Sequence, residues 1–99
     1  METTSKEQMS DYLERLQFYQ RLSQGSIHTM EINSGTLYGT DLTLRVTLYL
    51  YKWNEDKTNT VYTKENEYFD ICEWHNEKFN NETMRQLKER LINLEMIEL

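Results

Sequence analysis

The sequence contains no proline, three glycines and a single cysteine, and each scarcity narrows what the chain can be. Without proline there is no hard punctuation, so element boundaries must be read from hydrophobic periodicity and turn chemistry. The glycines stand apart at positions 25, 35 and 39, each beside an expected turn, so no glycine-rich loop is present to cradle a phosphate. One thiol cannot close an internal disulfide. A chain this short is usually stapled in an oxidising compartment, so a reducing, cytoplasmic setting is expected. No apolar run approaches the roughly 18 residues of a membrane span, and the chain opens without the basic, apolar and small-residue order of a secretion signal. No membrane association is expected.

Cations are also scarce: 11 Lys and Arg stand against 17 Asp and Glu, giving a net charge of -6 and a pI near 4.9. That balance disfavours non-specific binding to nucleic acid and makes a basic protein the more natural partner. The excess is not spread evenly. Residues 1 to 25 hold four acids and three bases, residues 26 to 64 four and four, and residues 65 to 99 nine and four. Glu65, Glu67, Asp70, Glu73 and Glu77 follow one another with no base between the first and the last.

What is abundant is pattern. From Leu42 to Trp53, apolar and non-apolar side chains alternate with the two-residue period of a half-buried strand. Leu42, Leu44, Val46, Leu48 and Leu50 share one face; Thr43, Arg45, Thr47, Tyr49, Tyr51 and Trp53 share the other. This is expected to be the central strand, whose aliphatic face the rest of the chain must cover. Ahead of it, Thr4 and Glu7 form a capping box. Met9, Tyr12, Leu13, Leu16, Tyr19 and Leu22 then make a helical stripe that should end near Ser23, with Gly25 closing it in the left-handed conformation. Phe18 lies off that stripe. Residues 26 to 32 alternate as a first strand with His28, Met30 and Ile32 on one side, and Asn33-Ser34-Gly35 supplies turn residues.

After the central strand, residues 54 to 59 read as a polar tip and Thr60 to Lys64 as the returning strand, placing Tyr62 and Lys64 near Tyr51 and Tyr49. Residues 68 to 79 fit a short irregular or helical segment, with Phe69 and Ile71 pointing inward if it is instead a strand. Asn80-Asn81 breaks the pattern, and Met84, Leu87, Leu91 and Leu94 define a second helix to about Asn93. The tail either continues that helix or adds an edge strand. Residues 1 to 99 therefore make a single domain, expected to bury roughly 60 to 65% of its unfolded surface. The fold class is α+β, with two layers. An antiparallel sheet of three to four strands is covered by an N-terminal and a C-terminal helix.

Chemistry is thinly represented. Cys72 and His75 are three residues apart, close enough on a helical turn to pair, but a structural zinc site needs four donors and the only other imidazole is His28. The expected reading is a buried, inert cysteine and a surface histidine, with no catalytic residues, metal or cofactor. Two surfaces remain. Arg45, Tyr49, Tyr51 and Trp53, with Tyr62 and Lys64, form an aromatic strand face of the kind that stacks on single-stranded nucleic acid, although such rings also pair across strands for stability. The acidic run, with Trp74 and Phe79 as apolar anchors, has the spacing to imitate phosphates and occupy a basic groove. The expected contacts there are Glu65, Glu67, Asp70, Glu73, Trp74 and Glu77.

The order helix, three antiparallel strands, helix, with carboxylates concentrated late in a short chain, resembles small phage-encoded antagonists of bacterial defence, notably anti-CRISPR inhibitors of Cas9. The resemblance covers the whole chain as a pattern and carries no diagnostic motif. It implies a non-enzymatic inhibitor that occupies a basic, nucleic-acid-binding surface of a host nuclease.

Overall fold

The computed structural model describes residues 5–37, 41–73 and 76–98, with side chains described over 10–34, 44–72 and 80–98. Helix α1 (Ser5–Leu22) runs into a 3-10 turn (Ser23–Gly25), followed by strands β1 (Thr29–Leu37), β2 (Asp41–Trp53), β3 (Thr60–Glu73) and β4 (Asn76–Phe79), and helix α2 (Asn81–Asn93). The strands form one antiparallel sheet in the order β1-β2-β3-β4. The architecture is the expected two-layer α+β fold. Both helices lie on one side of the sheet, because β2 offers only one aliphatic face.

Leu44, Val46 and Leu48 of β2 are fully buried against Leu16 of α1 and Leu87 and Leu91 of α2. Leu13 packs against this core as a partly buried neighbour. The α1 stripe is buried at Tyr12, Leu16 and Tyr19 but has lapsed at Leu22, where the helix gives way to the 3-10 turn. Ser26 N–H bonds to the Ser23 carbonyl at 2.9 Å and closes that turn, so Gly25 is not called on to adopt a left-handed conformation. The Thr4 cap lies outside the described residues.

Helix α2 starts as its sequence implies. Asn80 Oδ1 accepts the Thr83 amide at 3.0 Å, satisfying one of the free donors of the first turn. Its end differs from both expectations for the tail. Glu95 takes a left-handed φ of 58°, while Glu95 N–H bonds to the Ile92 carbonyl and Met96 N–H to the Leu91 carbonyl. This is a Schellman closure with glutamate where glycine is usual. It reverses the chain so that Met96 and Ile97 enter the core.

Two strands run past their expected ends. Asn33-Ser34-Gly35 is not the turn, since β1 continues through it, with Ser34 opposite Leu44 and Leu37 opposite Asp41. Pairing with the long β2 outweighs the turn preference of those residues, which an edge strand tolerates. β3 does not stop at Lys64. Tyr51 pairs with Tyr62 and Tyr49 with Asn66, so Thr63, Lys64 and Glu65 bulge opposite Leu50, with Lys64 at φ 65°. Beyond the bulge the strand resumes and runs to Glu73, which corrects the irregular or helical reading of this stretch. A second bulge, where Ile71 is the extra residue between the Cys72–Leu44 and Asp70–Arg45 pairs, leaves Ile71 and Cys72 both buried. β4 then pairs Phe79 with Cys72, and Asn80 N–H reaches the Ile71 carbonyl at 2.8 Å.

Candidate interaction surface

Because both helices sit on the aliphatic side, the other side of the sheet is left open. Strand alternation places Glu31 and Asn33 of β1 there, with Arg45, Thr47, Tyr49, Tyr51 and Trp53 of β2 and Tyr62, Asn66, Tyr68 and Asp70 of β3. Trp53, Tyr62 and Tyr68 are 51%, 38% and 57% exposed. The face is nevertheless ordered. Tyr62 lies between Tyr51 and Tyr49, at ring-centroid distances of 5.5 and 6.3 Å and tilted by about 50°, within the range of favourable aromatic pairs. Its hydroxyl donates to Asn66 Oδ1. Thr47, between Glu31 and Tyr68 in the ladder, is only 3% exposed although no helix covers it.

Polar partners fix the rest. Tyr49 donates its hydroxyl to Glu31 Oε2 at 2.8 Å, and Asn33 Nδ2 donates to Glu31 Oε1 at 2.9 Å. These bonds from Asn33 and Tyr49 hold the Glu31 carboxyl below its ordinary range, and donation to that carboxylate raises the Tyr49 phenol. Arg45 bonds Asp70 through two nitrogens, at 2.6 and 3.3 Å, while its guanidinium carbon lies 5.3 Å from the centroid of the Tyr68 ring. Arg45 is thus already satisfied from within the molecule.

The acidic residues do not form a single ridge. Glu67 lies opposite Leu48 and faces the helices, where Arg90 of α2 binds both of its carboxylate oxygens at 2.6 to 3.1 Å. Asp70 lies opposite Arg45 on the open face. Two residues expected to act together therefore look in opposite directions, and each is ion-paired. Glu65 is exposed in the bulge, its amide directed at Thr63 Oγ1. Glu73 and Glu77 belong to β3 and β4 but their side chains lie outside the described residues, as does the whole of Trp74.

The aromatic trio is brought together as expected, with Tyr49, Tyr51 and Trp53 on one face and Tyr62 across from Tyr51. Lys64 is not opposite Tyr49; the bulge gives that place to Asn66. Tyr68 was missed by the sequence reading, although Asn66, Tyr68 and Asp70 alternate with Glu67, Phe69 and Ile71 and so signal a strand. Cys72 is buried and His75 lies outside the described residues. Among the described residues no cluster of three or more His, Cys, Asp or Glu could hold a metal, and no helix is long and apolar enough to cross a membrane.

No protein-family model, curated protein or solved structure matches the chain.

Proposed function

We propose that this protein is a small binding module that acts by occupancy, as an inhibitor or adaptor of another protein, and that it docks through the open face of its sheet. The observation that carries the reading is the group Trp53, Tyr62 and Tyr68, exposed on a rigid sheet beside half-buried Tyr49 and Tyr51. Tyrosine and tryptophan give large contact area at low entropic cost and dominate binding hot spots. With net charge -6, the partner is a basic protein. A nucleic-acid-binding nuclease of a host defence system is the instance that the anti-CRISPR resemblance implies. The carboxylates from Glu65 to Glu77 then steer association rather than copy a duplex, because Glu67 and Asp70 lie on opposite faces.

Stacking on single-stranded nucleic acid is favoured by the same rings, but it draws on phosphate contacts. Arg45, on this face, is engaged by Asp70 and Tyr68. Affinity capture from a host extract, with and without nuclease, separates the two. A stoichiometric protein partner that survives nuclease supports the proposal, whereas recovery of nucleic acid that nuclease abolishes contradicts it.

A further inference from the structure

The open face has a titratable group built into its support, and the inference that follows, which rests on the sheet-face reading, concerns its regulation. Strand β1 begins at Thr29, opposite Tyr49. Along β2, every second residue directs its amide and carbonyl toward β1, so Tyr51 is the next to need an acceptor, at a point where β1 has not yet begun. His28 supplies it: the Tyr51 N–H donates to His28 Nδ1 at 3.0 Å. The bend that aims the imidazole is held by His28 N–H donating to Ser26 Oγ at 3.1 Å. On the other side of β2, where β3 bulges, Thr63 Oγ1 donates to the Leu50 carbonyl at 2.9 Å. Around residues 50 and 51 the ladder is thus completed on both sides by side chains. Beyond this point the inner side of the hairpin is open, since Val61, opposite Lys52, is exposed.

We propose that His28 is a pH-sensitive strut for the interaction surface: its protonation removes the acceptor for Tyr51 and loosens the distal half of the β2–β3 hairpin that carries Tyr51, Trp53 and Tyr62. A neutral imidazole that accepts at Nδ1 carries its proton on Nε2, whereas imidazolium has two N–H donors and no acceptor. Two donors would then face each other, and the Tyr51 amide would lose its partner. Among the described residues, charged groups act on the ring from two elements. From α2 comes Arg90 and from β3 comes Glu67, which pair with each other. From α1 and its 3-10 turn, Gln20, Ser23 and Gln24 line the same cleft as His28, and none of them is titratable. From β2 comes the Tyr51 amide. Burial first, and then the positive charge of Arg90, push His28 below its ordinary value of 6.5, with Glu67 opposing them. The folded state therefore favours neutral His28. Its contribution is complete above about pH 6.5 and is lost as the pH falls below that value.

The test is amide hydrogen exchange at Tyr51, compared with Leu48 in the core of the same strand. On acidification from about pH 7.5 to about pH 5, Tyr51 protection in the native protein is expected to fall roughly tenfold while Leu48 protection is retained. His28→Gln keeps an acceptor that cannot titrate, and is expected to keep Tyr51 protected at both pH values. His28→Leu should leave Tyr51 poorly protected at both. Parallel behaviour of Tyr51 and Leu48 in the native protein, or an unchanged acid loss in His28→Gln, overturns the proposal. No partner enters the readout. A failure of the sheet-face reading would appear separately, as binding that survives loss of Trp53 and Tyr62.

Discussion

Arg90 of α2 holds Glu67 of β3 by both carboxylate oxygens, at 2.6 to 3.1 Å, and so ties the second helix to the inner side of the sheet. The pair lies at the edge of the core, with side chains 39% and 28% exposed, where charge-assisted bonds retain part of their strength. Glu67→Gln is expected to lower stability by about 1 to 2 kcal/mol at neutral pH. Its carboxyl is held below its ordinary value by the Arg90 hydrogen bonds. The contribution is therefore present above about pH 4.5 and lost as the pH falls below it. Chemical denaturation of both proteins across acid pH checks this. The gap between them should close at low pH.

Leu48 is fully buried at the centre of β2. Leu48→Ala removes apolar contacts and leaves a cavity between both helices, at an expected cost of about 2 to 5 kcal/mol. An unchanged melting temperature would take the residue out of the core.

Glu95 occupies the left-handed position of the α2 closure. A Cβ there is unfavourable, so Glu95→Gly should stabilise the protein by about 0.5 to 1 kcal/mol despite the entropy of glycine. Thermal unfolding should show a rise of about 2 to 8 °C. Asn80→Ala, at the other end of the same helix, should cost about 1 kcal/mol because the Thr83 amide loses its acceptor.

Legibility followed periodicity. β2 and α2 were readable because Leu44, Val46 and Leu48, and Met84, Leu87 and Leu91, repeat at the spacing of one element without interruption. β3 was not, because Thr63, Lys64 and Glu65 form a bulge whose shape depends on pairing with Leu50, a tertiary relation that a local pattern does not carry. Once β3 is seen to continue, strand alternation separates Glu67 from Asp70, which a linear count of acids had joined. His28 is a similar case. Its use depends on β1 starting one residue later, where the next donor of β2 has no backbone partner.

Salt should distinguish steering from docking. Raising ionic strength from about 0.1 M to about 1 M shortens the Debye length from about 10 Å to about 3 Å. The association rate for a basic partner should fall, while dissociation, governed by the aromatic contacts, should change much less. Surface plasmon resonance with the captured partner resolves the two rates.

The most direct test of the sheet-face account compares three forms of the protein in capturing the partner from nuclease-treated extract. They are the native chain, Tyr51→Ser with Trp53→Ser and Tyr62→Ser, and Asp11→Lys with Glu14→Lys on exposed positions of α1. Circular dichroism confirms that each remains folded. The account predicts a stoichiometric partner with the native chain, at least a tenfold loss of affinity (more than about 1.4 kcal/mol) in the aromatic variant, and a smaller, salt-dependent loss in the charge variant. Full retention of the partner by a folded aromatic variant would contradict it.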